Sequence, residues 1–171
     1  MTDRVRPGVR LLFVGINPGV RSALTNHHFA GPSNRFWRLL FDAGLVPEPL
    51  TFEDDDRLPG WGLGVTNLIA RPTRGIDTLR AEEYARGLAV LRRKVRRWKP
   101  RVVTFVGVTL YRFIFDVRPG QPITPGFQIE RFEGARVAVV PNPSGRNAHF
   151  SYVQMLQAFQ TLRDARPGSR R

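Results

Sequence analysis

The sequence predicts an α/β fold in which a mainly parallel central sheet lies between two layers of helices, a three-layer α/β/α sandwich. Short and continuously apolar stretches are typical of strands covered on both faces, as they are in parallel sheets. Amphipathic helical patterns separate these stretches, and such alternation favours parallel strands joined by helices. The 171 residues suffice for one folded domain. We assign this domain to residues 1–165 and expect residues 166–171, which contain only Arg, Pro, Gly and Ser, to form a frayed basic tail.

Four apolar stretches are candidate buried strands. They are rich in Val, Leu, Ile or Phe and cover residues 11–16, 64–68, 102–107 and 137–141. A further stretch, residues 128–132, predicts a short antiparallel strand before the last of them. Because ligands of parallel sheets bind beyond the carboxyl ends of the strands, we expect the functional residues in the loops that follow these stretches.

Four helices are expected between and after the strands. Residues 34–43 place apolar side chains on one face and end before a glycine, a common residue after a helix. Residues 82–98 form the clearest amphipathic pattern, which Pro100 ends. A shorter helix is expected after Gly107, and a last helix begins near Ser151, a suitable N-cap.

The chain is strongly basic. It has 27 Lys+Arg against 14 Asp+Glu, a formal net charge of +13. Such an excess on one domain favours a polyanionic partner, most often nucleic acid, whose binding weakens as the salt concentration rises. All but two of the basic residues are arginines, so genomic base composition is an alternative explanation for part of the excess.

Composition also excludes or disfavours several classes of function. The absence of cysteine excludes disulfides, thiol catalysis and cysteine-ligated metal sites. Three histidines without carboxylates at ligand spacing argue against a metal, and we expect no cofactor. No apolar run approaches the ~20 residues of a membrane span, and no signal-peptide pattern is present. We expect a soluble cytoplasmic protein without membrane association, and a monomer.

Two loops follow the first and the fourth of the candidate buried strands and share an unusual composition. Residues 15–19 are Gly-Ile-Asn-Pro-Gly, and residues 141–147 are Pro-Asn-Pro-Ser-Gly-Arg-Asn. Proline and glycine hold a loop on an unusual path, and asparagine offers a rigid amide with both a donor and an acceptor. Taken alone, either loop is equally well explained as a turn.

Taken together, the two loops resemble the signature motifs of the mismatch-specific uracil/thymine-DNA glycosylase family, within the uracil-DNA glycosylase superfamily. The stretches at 29–30, 34–37, 64–68 and 71–73 also resemble that family, and the likeness extends over residues 11–162. It implies an enzyme that flips a mismatched or damaged base out of double-stranded DNA and hydrolyses its N-glycosidic bond, which starts base excision repair. Uracil opposite guanine is the implied substrate, with etheno-cytosine or thymine in some branches.

The resemblance also implies roles for individual residues. Asn17 would position the attacking water, and Phe29 would stack on the flipped pyrimidine. Asn67 would hold water or the sugar, or else is a structural amide. The implied base pocket comprises Ile16, Ser22, Ala23, Phe29 and Asn142. The implied wedge, which fills the gap left by the flipped base and contacts the orphaned guanine, comprises Ser144, Gly145, Arg146 and Asn147. An ordinary phosphate contact is the alternative for Arg146.

The chemistry of these residues limits the mechanism. An amide cannot remove a proton, so Asn17 implies a dissociative reaction that is slower than in superfamily members with aspartate at this point. A strand-nicking glycosylase needs an amine nucleophile, and the only lysines, Lys94 and Lys99, lie far along the chain from both motifs. We therefore expect a monofunctional enzyme that leaves an intact abasic site.

The remaining charged residues are expected at the surface. The acidic run 53–56 is assigned to a solvated loop, His27 and His28 to an exposed loop, and His149 to the surface or a helix start. The arginines within residues 86–97 are assigned to a solvated helix face rather than to a DNA track. Two rival functions stay open: a non-catalytic binder of damaged DNA, and a phosphate- or nucleotide-binding α/β protein that uses residues 15–19 as an anion loop.

Overall fold

The computed structural model describes residues 1–165 and shows the expected α/β/α architecture. The strands of its sheet are β1 (Leu11–Gly15), β2 (Leu63–Asn67), β3 (Val102–Val106), β4 (Gly126–Phe132) and β5 (Ala135–Val140). Their order across the sheet is β2-β1-β3-β5-β4. All neighbours pair in parallel except β4, which pairs antiparallel with β5, so the expected antiparallel strand is confirmed. The tail assigned to residues 166–171 lies outside the described residues.

Helices cover both faces of this sheet. They are α1 (Val20–Thr25), α2 (Phe36–Asp42), α3 (Ala81–Trp98), α4 (Val108–Phe115) and α5 (Tyr152–Thr161), with 3₁₀ segments at Phe52–Trp61, Ile76–Thr78 and Leu162–Ala165. The last four α-helices confirm the four that the periodicity predicts. Ser151 caps α5 as expected, since its hydroxyl accepts a hydrogen bond from the Gln154 amide at 3.2 Å. None of the helices within residues 1–165 is both long and apolar enough to pass through a membrane.

The continuous apolar character of the strands reflects burial on both faces. In β1, Leu11 and Phe13 belong to one hydrophobic cluster, together with residues of α2 and α5. Leu12 and Val14 belong to a second cluster, together with residues of α3 and α4. All four side chains are fully buried. Each contributes roughly 1.5–3 kcal/mol of transfer free energy, so both faces of the strand hold the sheet between its helices.

The carboxyl ends of the parallel strands lie at one edge of the sheet, and hydrogen bonds continue past their last residues. The amide of Leu68 donates to the Gly15 carbonyl, and the amide of Ile69 donates to the Ile16 carbonyl, each at 2.8 Å. The loop after β1 is therefore joined to the loop after β2 along several residues. This edge is where the sequence places the candidate functional residues.

Candidate active site at the carboxyl edge of the sheet

The two motif loops line one cleft at this edge, and the second loop packs against residues 33–35. The Arg35 amide donates a hydrogen bond to the Pro143 carbonyl at 2.9 Å. Gly145 packs so closely on Ser33 that a Cβ at position 145 would lie 2.6 Å from the Cβ of Ser33. A cleft of about 360 Å³ opens between the loops. The expected site residues that line it are Ile16, Asn17, Ser22, Phe29, Asn67, Asn142, Ser144 and Arg146.

The orientation of the Asn17 amide is determined by the loop that follows β2. Asn17 Nδ2 donates to the Arg71 carbonyl at 3.0 Å and to the Thr73 hydroxyl at 2.8 Å. The Thr73 hydroxyl in turn donates to the Gly75 carbonyl at 2.7 Å. Both hydrogens of Nδ2 are thus used, whereas Asn17 Oδ1 accepts no hydrogen bond from the residues that the structure describes. The amide therefore has an unused acceptor for a water in the cleft.

Gly15 makes room for the side chains on either side of the cleft floor. A Cβ on Gly15 would lie 2.7 Å from Asn67 Oδ1 and 3.8 Å from Phe29 Cζ. A separation of 2.7 Å is shorter than carbon and oxygen tolerate without a shift. Any larger residue at position 15 would displace the Asn67 carboxamide. The first glycine of the motif therefore serves packing at the site rather than a turn.

Phe29 forms an aromatic wall of the cleft. Its ring stacks on the Phe36 ring with a centroid distance of 4.0 Å and an interplanar angle of 24°. Its φ of +52° lies in the left-handed region, which costs a non-glycine residue roughly 1–3 kcal/mol and persists only where the surroundings impose it. Here the conformation is imposed by hydrogen bonds to the residues on either side of Phe29. The Ala30 amide donates to Ser22 Oγ at 3.0 Å, and Trp37 Nε1 donates to the His28 carbonyl at 3.2 Å.

A buried carboxylate supports the segment before Phe29. Asp55 is fully buried, and its Oδ1 accepts hydrogen bonds from Arg4 Nε and His27 Nδ1, each at 2.9 Å. Its Oδ2 accepts from the His28 amide at 3.0 Å. The expectation of a solvated loop was wrong for Asp55. The segment is 3₁₀-helical, and contacts with residues remote in sequence bury this one carboxylate while Glu53 and Asp56 stay exposed.

His28 is also buried, with 2% of its surface exposed, so its assignment to an exposed loop was wrong. Its Nε2 donates to the Thr2 carbonyl at 2.9 Å, so this ring nitrogen carries a proton. Burial lowers the pKa of His28 below its ordinary value, although the Thr2 carbonyl and nearby Asp55 oppose that shift. Near neutral pH the imidazole is therefore uncharged, and it lines the cleft.

The structure does not bring every expected residue to the cleft. Ala23 lies on α1 and is absent from the cleft lining, unlike its neighbour Ser22. Gly145 lies against Ser33 rather than in the cleft. Asn147 lines a neighbouring groove of about 460 Å³, and its Nδ2 donates to the Asn142 carbonyl at 2.9 Å. That contact closes the turn of residues 142–147.

Thr73 and Asp55 are among the contributors to the site that were not expected from sequence. Thr73 does fall within the 71–73 stretch that resembles the glycosylase family, so that stretch was the available signal. Nothing local marks Asp55, because its three partners come from residues 4, 27 and 28. His149, expected at the surface, is exposed and lines the neighbouring groove.

The charged residues that line the site are positive. The cleft and the grooves on either side of it are lined by Arg74, Arg112 and Arg146, among others, and within residues 1–165 by no Asp or Glu. Nowhere in that part of the chain do three or more His, Asp or Glu residues cluster so as to hold a metal ion. Lys94 Nζ forms an ion pair with Asp3 at 2.8 Å and lines none of these cavities. The site thus offers cations and amides, with no carboxylate to act as a base.

Fold and cleft together define a class of protein: an α/β/α sandwich whose parallel strands end in a cleft lined by an aromatic ring and carboxamides. Comparison with known proteins specifies the family. The chain belongs to the uracil DNA glycosylase superfamily, whose family model matches residues 2–163. The resemblance inferred from the two motif loops is confirmed.

One curated relative and one solved structure illustrate the match. A G/U mismatch-specific uracil DNA glycosylase of Schizosaccharomyces pombe is 39% identical over an alignment of 147 positions that covers 82% of this chain. The match covers 45% of that relative, so the chain spans less than half the relative's length. A candidate uracil DNA glycosylase from Methanosarcina acetivorans, solved by solution NMR, shares the fold with a TM-score of 0.66 at 18% identity, over 96% of each chain.

Proposed function

We propose that this protein is a monofunctional DNA glycosylase that removes uracil mispaired with guanine from double-stranded DNA and so initiates base excision repair. The main observation in support is the Asn17 amide, held by Arg71 and Thr73 with an unused acceptor, in the same cleft as the Phe29 ring. The 39% identity to a G/U mismatch-specific enzyme supports the substrate. Etheno-cytosine and thymine opposite guanine are further candidate substrates of the same cleft.

Base flipping places the substrate in this cleft. A base within a duplex is out of reach, so the target nucleotide is extruded, and the uracil ring stacks on the face of Phe29 that Phe36 does not cover. Backbone groups around Ile16 and Phe29 bind the polar edge of the base. Because Phe29 is held in its left-handed conformation before substrate arrives, its ordering costs nothing at the moment of binding.

The reaction proceeds by departure of the base before water attacks. The C1′–N1 bond breaks heterolytically, its electron pair leaves with uracil as an anion, and the sugar becomes an oxocarbenium ion. A water held by Asn17 Oδ1 then bonds to C1′ and gives up its proton, which neutralises the uracil anion. No carboxylate lines the cleft within residues 1–165 to deprotonate this water earlier, so stabilisation of the leaving anion by hydrogen-bond donors supplies the main acceleration.

The wedge and the lysines complete the proposal. Arg146 is exposed at the rim shared by the cleft and both flanking grooves, a position from which its side chain enters the gap left by the extruded base. Lys94 is paired with Asp3, and neither Lys94 nor Lys99 lines the cleft or its flanking grooves, so no lysine is placed to form a Schiff base with the sugar. The product is an intact abasic site. We propose that the protein acts as a cytoplasmic monomer.

The test is base release from short duplexes in single-turnover assays, with uracil opposite guanine or adenine and with etheno-cytosine or thymine opposite guanine. Asn17→Ala should reduce uracil release at least 100-fold, because the water loses its acceptor, while the exposed control Gln157→Ala should match the unaltered protein. Full activity in Asn17→Ala would refute the catalytic assignment. Tight binding to the mismatch without any base release would favour the non-catalytic binder instead.

A further inference from the structure

A second groove adjoins the cleft on the side of α1. It has a volume of about 610 Å³ and is called the arginine groove below. Its basic lining residues are Arg21, Arg74 and Arg146. It shares eight lining residues with the cleft, which are Gly19, Ser22, Gly31, Asn34, Thr73, Arg74, Ser144 and Arg146. The two cavities are therefore one continuous surface.

The charges of the arginine groove are not neutralised. Among residues 1–165, none of its three guanidinium groups lies within 4.0 Å of a carboxylate. Some arginines elsewhere are neutralised, since Arg92 and Arg96 both pair with Glu133. The Arg21 guanidinium lies beside the Phe52 ring, with its carbon 5.5 Å from the ring centroid, and such a contact leaves the charge intact.

Small residues keep the groove open to a polymer backbone. Gly19 and Gly31 contribute no side chains, and a Cβ on Gly19 would meet no atom within 4 Å. Ser22 and Asn34 add polar groups but no negative charge. Unpaired guanidinium groups on an open, carboxylate-free groove are suited to phosphate oxygens, which they bind with charge-assisted hydrogen bonds.

We propose that the arginine groove binds the backbone phosphates of the DNA strand that carries the extruded nucleotide, through Arg21 and Arg74. This proposal rests on the proposed function. The covalent continuity of DNA identifies which of its two strands lies in the groove. A nucleotide whose base lies in the cleft is joined to the phosphates on either side of it, and those phosphates enter the cavity that shares lining residues with the cleft. Arg146, at the rim of all three cavities, acts instead on the gap in the duplex.

The experiment measures binding of uracil-containing single-stranded and duplex DNA by fluorescence anisotropy over a series of salt concentrations. Arg21→Gln and Arg74→Gln should each weaken binding to both forms and reduce the slope of log K against log salt by about 0.7 on single strands and about 0.9 on duplex, one phosphate contact each. Arg93→Gln is the matched control, since Arg93 is exposed, lines none of the three cavities and gives the same change in net charge. Arg146→Gln should weaken duplex binding more than single-strand binding.

The outcomes separate this proposal from the proposed function. Single-turnover rates at saturating enzyme should remain unchanged in the control Arg93→Gln, because Arg93 lines none of the three cavities. Salt slopes equal to that of Arg93→Gln would overturn the phosphate site even if excision depends on Asn17. A loss confined to duplex DNA would overturn the strand assignment. Altered slopes in a protein that releases no base would support the groove while refuting the glycosylase.

Discussion

Asp55→Asn tests whether the buried carboxylate maintains the shape of the cleft. Asp55 Oδ1 faces the Arg4 Nε–H and Oδ2 faces the His28 amide, so either orientation of an asparagine side chain directs its NH₂ group at another donor. Breaking a buried ion pair costs about 3–5 kcal/mol. The Arg4 side chain is 20% exposed and regains water in the variant. We therefore expect the free energy of unfolding to fall by the lower end of this range, about 3 kcal/mol. For a chain of this size that lowers Tm by roughly 6–12 °C, and the protein remains folded at 25 °C.

The same substitution should slow catalysis. Without its acceptor, the His28 amide no longer restrains the peptide before Phe29, whose left-handed φ then relaxes. A displacement of the stacking ring by about 1 Å is expected to reduce single-turnover uracil release roughly 10- to 100-fold. Asp56→Asn is the matched control, because Asp56 is the exposed neighbour and loses the same charge. A Tm loss without any change in the excision rate at 25 °C would refute the link to Phe29. Equal behaviour of the two variants would refute the role of Asp55 altogether.

Two further predictions concern the neighbours of the cleft. Thr73→Val removes the hydroxyl that accepts a hydrogen bond from Asn17 Nδ2, and it should lower the rate of single-turnover uracil release about 10-fold, the equivalent of one hydrogen bond of about 1.4 kcal/mol. Thr73→Ser keeps the hydroxyl and should retain the rate. Equal rates for the two variants would contradict the role of Thr73 in positioning the Asn17 amide. Because the pKa of His28 is lower in the folded protein than its ordinary value of about 6.5, the unfolded chain binds more protons between the two values, so stability should fall as the pH drops through 6.5 toward the folded-state pKa. Thermal melts from pH 7.5 to 5 should show this decline in the unaltered protein and in His149→Gln, and a shallower one in His28→Gln; identical profiles for all three would refute it.

Elements with strong local patterns were predictable from the sequence. The buried strands appear as continuous apolar runs because both of their faces meet helices. The helix α3 shows a clear helical periodicity because only one of its faces packs against the sheet. The helix α1 was not predicted, since its six residues, Val20–Thr25, contain too few turns for a periodic pattern. The acidic run 53–56, which lies within the 3₁₀ segment Phe52–Trp61, was assigned to a loop because acidic residues are typical of solvent-exposed positions.

The features of the candidate site also differ in how far they could be predicted from the sequence. The motif loops were recognisable from sequence because Asn-Pro-Gly chemistry is local and distinctive, and their positions after buried strands implied that they lie at one sheet edge. The burial of Asp55 and His28 could not be recognised from the sequence, because it depends on Arg4 and Thr2, which lie 51 and 26 residues away in the chain. The exclusion of Ala23 from the cleft likewise depends on how α1 packs.

The sequence by itself determined the sandwich, the two loops that carry the chemistry and the positive charge, because hydrophobic period, turn chemistry and composition are properties of short stretches of chain. Only the tertiary structure decided which way the Asn17 amide points, what holds Phe29 in its left-handed conformation and which arginines lack a carboxylate partner. Each of these depends on contacts of a few ångströms between residues far apart in the chain, and such contacts exist only once the sheet and its helices have packed.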